Sequence, residues 1–326
     1  MHMSRNILDL IRKDVVLGDG GYLLELERRG YVDSGSGREK VGTGRGSGQF
    51  TPEVAIESPE ALAELHREFL NAGSQVLQAL TFFATREKLT RAGYGQDTEK
   101  INEAAVKIAR TVAGDRALVA GSVSRTQLFE SEGPAAAAHV RELFVEQIAL
   151  LLEAGVDFLI LETFFRLDEM LIALESARGK GVPVMATISF RPVTTRNSDG
   201  HSPAECARIL AGEGADIVGA NCEQEPGRML AILRAMRGAT SAVIAAQPAA
   251  FRTTDETQSF TRMPQFPDGL ETIQVARQEF IDFAAHAKAE GVGYLGGCCG
   301  CNAAYIKAMA LGLAAPVPEL RVQEAV

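Results

Sequence analysis

Tryptophan is absent from this chain, and aromatic residues make up only 6% of its 326 residues. No apolar run approaches the roughly 20 residues that a membrane-spanning helix needs, so the sequence predicts no contact with a membrane. The first residues lack the apolar core of a signal peptide, which predicts a cytoplasmic protein. Basic residues number 33 against 42 acidic ones, with no basic stripe, so nucleic acid is not an expected partner.

Cysteine is scarce as well, with five residues in the chain. A cytoplasmic protein with this cysteine usage is not expected to form a disulfide framework, which leaves metal binding or catalysis as the predicted roles. Hydrophobic residues make up 46% of the chain, an ordinary globular composition with ample material for a large core.

The apolar residues fall into short runs that alternate with helical patterns. Eight runs rich in Val, Ile, Leu and Ala, without polar alternation, predict parallel strands buried on both faces. These predicted strands are 15–17, 75–81, 117–123, 157–163, 183–190, 216–222, 242–247 and 292–296. A helix is expected after Ser58, which would cap it, with Pro59 in its first turn. Further helices are expected at 99–113, 135–154, 167–177, 203–211, 226–236, 271–290 and 303–311.

This alternation predicts an α/β fold, a (β/α)8 TIM barrel that forms one domain over residues 1–326. A doubly wound open sheet is the alternative. Residues 33–49 are rich in Gly and Ser and are interpreted as an insertion that forms a mobile loop over the barrel mouth. This segment lacks the ending of a phosphate-binding loop. The polar segment 252–269 is expected at the rim.

Three cysteines occupy positions where a barrel places its working residues, at the carboxyl ends of strands. Cys222 ends the sixth predicted strand, and Cys298 and Cys299 follow the eighth. Three thiolates with one open position are typical of a catalytic zinc site. The cysteine spacing by itself also fits buried inert thiols or a redox pair. We expect Cys206 to be a packing residue and Cys301 to lie outside the metal shell.

The predicted chemistry follows from the charge of such a site. Zinc with three thiolates is a poor activator of water but can hold a substrate thiol as a thiolate, which would then attack an electrophilic methyl group. Asp19 and Glu162, both at strand ends, suit an α-ammonium group, and Gly20 and Gly21 would offer backbone N–H groups to a carboxylate. The alternatives are a turn residue for Asp19 and a salt bridge to a neighbouring loop for Glu162.

Three phenylalanines come from loops near the predicted mouth: Phe50, Phe82 and Phe83. Aromatic faces attract quaternary ammonium or sulfonium cations, which are methyl donors. Core packing is the alternative for all three, and we favour it for Phe82.

Several motifs match a known family. They are Gly18-Asp19-Gly20-Gly21, Thr51-Pro52-Glu53, residues 65–74, Val218-Gly219-Ala220-Asn221-Cys222 and Gly296-Gly297-Cys298-Cys299-Gly300. In these motifs the chain resembles the homocysteine S-methyltransferase family, and within it the betaine-dependent branch, over about residues 8–313. The resemblance implies a zinc barrel that methylates homocysteine. The residues that it implies are Cys222, Cys298 and Cys299 for zinc, and Asp19, Gly20, Gly21 and Glu162 for homocysteine.

The chain departs from the betaine branch at three positions of the implied methyl-donor and zinc site. Phe50 stands where the resemblance places tryptophan, and Phe83 and Thr163 stand where it places tyrosine. The implied function is a zinc-dependent transfer of a methyl group from a betaine to homocysteine, giving methionine. The alternatives are a sulfonium donor, such as dimethylsulfoniopropionate or S-methylmethionine, a non-catalytic small-molecule-binding barrel, and a structural zinc protein. The protein could form a homo-oligomer under each of these interpretations.

Overall fold

The structure is a computed structural model that describes residues 6–31, 52–191, 196–257, 259–266 and 269–317. The predicted insertion at 33–49 and Phe50 lie outside these residues. Within them, no helix is both long and apolar enough to cross a membrane.

Eight parallel strands form a single sheet, and each corresponds to a predicted strand. They are β1 Val16–Leu17, β2 Val76–Gln78, β3 Leu118–Ser124, β4 Phe158–Phe164, β5 Val184–Ile188, β6 Ile217–Asn221, β7 Val243–Gln247 and β8 Val292–Leu295. Their spatial order is β1-β8-β7-β6-β5-β4-β3-β2. Between β1 and β2, the Gln75 N–H donates to the Leu17 carbonyl at 2.7 Å. The sheet therefore forms a nearly closed barrel, which confirms the (β/α)8 prediction and excludes the open sheet.

Helices connect the strands, and the seven long helices predicted after residue 98 are all present. The α-helices of the described chain are α1 Ile7–Ile11, α2 Leu23–Arg28, α3 Val54–Glu57, α4 Pro59–Ala72, α5 Arg86–Arg91, α6 Thr98–Ala113, α7 Gln127–Glu132, α8 Ala137–Glu153, α9 Leu167–Ala177, α10 Pro203–Gly212, α11 Pro226–Arg237, α12 Arg277–Ala289 and α13 Ala303–Ala314.

The start of α4 differs from the prediction in one detail. Pro59 occupies the first turn, as expected. However, the Ser58 hydroxyl makes no capping hydrogen bond. Because α3 runs directly into this position, the Ser58 N–H is instead bonded to the Val54 carbonyl at 2.9 Å. Ser58 is therefore a link between two helices.

The interior of the barrel changes from apolar to polar along the strands. Near the amino ends, residues such as Val76, Phe158 and Ile217 form one buried cluster, which α1 covers from below with Ile7 and Ile11. Near the carboxyl ends, the strands carry buried polar side chains: Gln78, Ser122, Glu162, Thr187, Asn221 and Gln247. Buried polar groups are costly unless they are hydrogen-bonded. The upper layer is therefore expected to be either a satisfied network or a ligand site.

Candidate active site

The three cysteines that the sequence singled out converge at the carboxyl ends of β6 and β8. The sulfur atoms of Cys222, Cys298 and Cys299 all lie within 4.8 Å of one another, and those of Cys222 and Cys299 are 3.5 Å apart. Tetrahedral coordination with metal–sulfur bonds of about 2.3 Å separates the sulfurs by about 3.8 Å. The three thiols, called the thiol cluster below, therefore fit one metal ion.

Backbone geometry positions the cluster. Cys222 and Glu223 adopt left-handed backbone conformations, with φ of 58° and 53°. Such conformations in non-glycine residues cost on the order of 1–3 kcal/mol each and need support from their surroundings. The end of β7 supplies it, because the Cys222 N–H donates to the Gln247 carbonyl and the Cys298 N–H to the Pro248 carbonyl, both at 2.9 Å.

The remaining two cysteines lie outside the cluster, as predicted. Cys206 is fully buried on α10 among core residues, and burial raises the pKa of its thiol to about 12. The Cys301 thiol points to the Pro248 carbonyl, 3.4 Å away, and burial raises its pKa as well. Both are protonated packing residues.

The three thiols of the cluster shift one another's pKa values. Hydrogen bonds from Cys298 and Cys299 lower the pKa of Cys222 well below its usual value. The hydrogen bonds to Cys222 in turn raise the pKa values of Cys298 and Cys299. Cys222 is therefore the most acidic of the three thiols, and a soft cation bound by the cluster would displace the protons of the other two.

Asp19 is held by a buried chain of hydrogen bonds. Its Oδ2 accepts from the Gln78 N–H at 2.6 Å and from the Tyr22 hydroxyl. The Tyr22 oxygen also lies 2.9 Å from His66 Nδ1. Burial raises the pKa of Asp19 to about 7 and lowers that of His66 to about 3. Because the single Tyr22 proton goes to Asp19, neutral His66 must donate from Nδ1.

These contacts argue against the turn interpretation of Asp19. Its side chain binds groups from α2 and β2, so it is not a simple turn residue. The sequence analysis did not single out Tyr22, Gln78 or His66, because no local pattern shows that α4 brings His66 against Tyr22.

Glu162 lies across the mouth from Asp19 and shares a partner with it. Its Oε1 accepts from the Ser122 hydroxyl at 2.5 Å and from the Gln78 side-chain amide. Burial raises the pKa of Glu162 to about 8. Among the described residues no basic side chain forms an ion pair with it, so the salt-bridge alternative is wrong. Gln78 therefore joins the two carboxyl groups, through its backbone N–H and its side chain.

The two glycines after Asp19 are required by close packing. A Cβ at Gly20 would lie 1.9 Å from the Cys301 carbonyl oxygen, and one at Gly21 would lie 2.6 Å from that of Cys298. The expectation that the Gly21 N–H is offered to a substrate carboxylate is wrong, because this group already donates to the Cys301 carbonyl at 2.9 Å.

Two cavities meet at the thiol cluster. The inner cavity is lined by Gly20, Gly21, Gln78, Glu162 and Gln247, among others. The outer cavity is lined by Arg125, Thr163, Phe165, Arg191 and Glu223, among others. Phe82, Phe83, Cys298 and Cys299 border both. A molecule in either cavity would thus lie next to the sulfurs.

The aromatic residues at this junction differ from expectation. Phe82 and Phe83 are half-buried and pack edge to face, with ring centroids 4.3 Å apart. The prediction that Phe82 is a core residue is therefore wrong. The ring of Phe83 already faces a cation, because Lys88 Nζ lies 4.2 Å from its centroid. Thr163, which lines the outer cavity, has a φ of 59°, and its hydroxyl accepts from the Asn221 amide at 2.6 Å.

An eight-stranded barrel with three convergent thiols and two buried carboxyls at its carboxyl-end mouth defines a barrel enzyme with a candidate metal site. Comparison with known proteins narrows this class. Residues 16–313 match the model of the homocysteine S-methyltransferase family. Betaine–homocysteine S-methyltransferase 1 from Bos taurus is 39% identical over 328 residues, covering 96% of this chain and 76% of the relative.

Two further proteins are similar, one in sequence and one in fold. S-methylmethionine–homocysteine S-methyltransferase from Pongo abelii is 36% identical, with coverage of 95% of this chain and 82% of the relative. The metallated homocysteine methyltransferase MmuM from Escherichia coli has the same fold, with a TM-score of 0.72 at 21% identity over 95% of this chain and 100% of that one. The chain belongs to the homocysteine S-methyltransferase family, whose reaction is the methylation of homocysteine to methionine.

Proposed function

We propose that this chain is a zinc-dependent enzyme that moves a methyl group from an onium donor of the betaine type to L-homocysteine, giving L-methionine. The observation that carries the proposal is the thiol cluster, three sulfurs within 4.8 Å beside two buried carboxyl groups. Cys222, Cys298 and Cys299 would hold zinc, which would keep the homocysteine thiol deprotonated at neutral pH.

The inner cavity suits the acceptor. Asp19 and Glu162 are buried carboxyl groups without a basic partner among the described residues, and an α-ammonium group would favour their ionised forms. Gly20 and Gly21 line the same cavity without side chains, which leaves room for the substrate carboxylate. An amino acid bound in this way would extend its thiol towards the cluster.

The donor would approach from the outer cavity, which Phe83 and Thr163 line. Phe50, the third residue predicted for the donor pocket, lies outside the described residues. The acceptor sulfur forms a bond to the methyl carbon, and the bond from that carbon to the onium atom breaks. The electron pair stays on the departing nitrogen or sulfur, which becomes neutral. A sulfonium such as S-methylmethionine is the second candidate donor, because a 36% identical relative carries that name.

The deciding experiment compares methionine formation from glycine betaine, proline betaine, dimethylsulfoniopropionate and S-methylmethionine, with zinc content measured on the same preparation. Cys298→Ala should lose both bound zinc and turnover, and so should the wild type after chelation. Cys206→Ala, which changes a buried thiol outside the cluster, should keep both. Normal rates in a metal-free Cys298→Ala protein would refute the mechanism, and no methionine from any donor would favour a binding-only barrel.

We also propose that the protein is cytoplasmic and that its partners are small-molecule substrates. It would act as a monomer or as a homo-oligomer. All five cysteines are free thiols, which suits a reducing compartment.

A further inference from the structure

Lys88 is a buried lysine, with 1% of its surface exposed to solvent. Its side chain extends from α5 to the carboxyl end of β3, where its Nζ donates to the Ser124 hydroxyl at 3.1 Å and to the Arg125 carbonyl. Lysine is almost never fully buried unless its ammonium group is paired, because burial removes the hydration of the charge. The methyl transfer proposed above assigns no role to this residue.

The ammonium group of Lys88 also contacts the two phenylalanines at the junction of the cavities. Its Nζ lies 4.2 Å from the ring centroid of Phe83 and 5.9 Å from that of Phe82. An ammonium group within about 6 Å of a ring centroid is attracted to the face of the ring. The closer contact therefore favours one orientation of the Phe83 ring, and the edge-to-face packing of the two rings extends this constraint to Phe82.

Other side chains hold the main chain of the same loop. The Ser124 hydroxyl donates to the Phe82 carbonyl, and the side-chain amide of Gln147 donates to the Thr81 carbonyl at 2.7 Å. These two bonds fix the path of the loop, whereas Lys88 acts on an aromatic ring that the loop carries. The two effects come from different residues and can be removed separately.

A buried carboxyl group lies close enough to interact with the charge of Lys88. Burial raises the pKa of Glu169 on α9, and the hydrogen bonds from Thr126 and the positive charges of Lys88 and Arg125 oppose this shift. Removal of one charge from such a buried group of charges destabilises a protein. A test of Lys88 must therefore separate an effect on the reaction from an effect on stability.

We propose that Lys88 is a positioning residue for methyl transfer, whose ammonium group holds the Phe83 ring in the orientation that the onium donor meets. This inference rests on the proposed function, in which Phe83 belongs to the donor pocket. Lys88 itself lines neither cavity, whereas Phe83 borders both. The effect of Lys88 on the reaction therefore passes through the Phe83 ring.

A double-mutant cycle tests this inference with the best methyl donor of the panel above. Lys88→Met should lower kcat/KM for the donor about tenfold, mainly by raising KM, and Phe83→Leu should lower it at least as much. The double variant should stay within twofold of Phe83→Leu, because it has no ring left to orient. A residue that only stabilised the fold would cause its full tenfold loss in both backgrounds.

Gln147→Leu is the matched control, because Gln147 bonds the Thr81 carbonyl of the same loop rather than the Phe83 ring. It should lose stability but keep kcat/KM for the donor within twofold. Lys88→Gln is a second substitution, which covers the case that Lys88→Met does not fold. Its amide can still donate to the Ser124 hydroxyl but brings no charge to the ring, so the same tenfold loss is expected.

Three results would overturn the inference. They are equal losses in Gln147→Leu and in the Lys88 variants, a further tenfold loss when a Lys88 substitution is added to Phe83→Leu, and full activity of Lys88→Gln. Each requires a wild type that forms methionine. A wild type that forms no methionine from any donor would instead refute the proposed function, on which the inference rests.

Discussion

The side chain of Asn221 bonds Thr163 twice: its Oδ1 accepts the Thr163 N–H at 2.9 Å, and its Nδ2 donates to the Thr163 hydroxyl at 2.6 Å. Thr163 follows Glu162, and Asn221 precedes Cys222. Both Thr163 and Cys222 have left-handed backbone conformations. For Thr163, which is β-branched, such a conformation is exceptional. One amide thus fixes a buried carboxyl and a sulfur of the thiol cluster relative to each other.

Replacing Asn221 by Ala should release this constraint. We expect a loss of about 2–4 kcal/mol in the free energy of unfolding, because several buried partners lose their hydrogen bonds, and a fall in bound metal. The measurements are urea unfolding and metal analysis. Asn102→Ala is the control: Asn102 is equally buried and donates to the Ala84 and Thr98 carbonyls at 2.9 and 2.8 Å, far from the thiols. It should lose stability but keep its metal, and full metal occupancy in Asn221→Ala would contradict this account.

Tyr22→Phe should weaken homocysteine binding. Without the hydroxyl, the Asp19 carboxylate accepts one hydrogen bond fewer, so its charged form is less stable. The KM for homocysteine should therefore rise about 5- to 30-fold, which corresponds to about 1–2 kcal/mol of binding free energy. The change in kcat should be much smaller, because the reacting atoms are untouched. Tyr305→Phe also removes a buried hydroxyl, one that donates to the Val275 carbonyl at 2.5 Å. An equal rise in KM for both variants would argue against a role of Tyr22 in binding.

The stability of the protein should depend on pH in an unusual direction. The folded pKa values of Asp19 and Glu162 are about 7 and about 8, above the unfolded values of 3.8 and 4.5. The folded state therefore holds more protons across this window, and each group lowers stability by about 1.4 kcal/mol per pH unit as the pH rises through it. Unfolding of the wild type and of Asp19→Asn/Glu162→Gln should be compared from pH 5 to 9 at fixed saturating zinc. The wild type should lose stability relative to the double variant as the pH rises from 5 to about 8, and the difference should stay constant above pH 8. Parallel curves from pH 5 to 8 would refute the assignment.

Gly20→Ala should be strongly destabilising. Its Cβ would lie 1.9 Å from a backbone carbonyl, a contact that only a shift of the β1 or β8 loop can relieve. We expect a loss of at least about 2 kcal/mol, together with weaker metal binding, measured by thermal unfolding and zinc titration. Gly227→Ala, where a Cβ meets nothing within 4 Å on α11, should be neutral or stabilising by up to about 1 kcal/mol. An equal loss of stability in the two variants would show that the close approach of Gly20 to the Cys301 carbonyl is not the cause of the destabilisation.

The barrel and its thiol cluster were predictable from the sequence for a common physical reason. Strands buried on both faces are continuous apolar runs, and closing eight of them brings their carboxyl ends to one mouth. This logic needs only the residue that ends each run, and Cys222, Cys298 and Cys299 are such residues. Asp19 and Glu162 were identified in the same way.

The other features depend on contacts that no local pattern shows. Helices such as α1 and α5 span only one or two turns, too short for a readable period. The contact between Tyr22 and His66 arises only when α4 packs over the start of α2. Phe82 and the Gly21 N–H were misjudged because their surroundings are set by Phe83 and by the turn at Cys301.

Asp19 contributes to the closure of the barrel at the seam between β1 and β2. Every other neighbouring pair of strands in the described sheet is joined by a ladder of backbone hydrogen bonds, whereas here the Gln75 N–H donates to the Leu17 carbonyl and the Gln78 N–H donates to the Asp19 carboxylate. The circumference of the barrel is thus closed in part through a buried ionisable side chain. An ammonium group that draws this carboxylate towards itself would slacken the seam, so the exchange rate of the Gln78 amide proton becomes a direct gauge of acceptor occupancy.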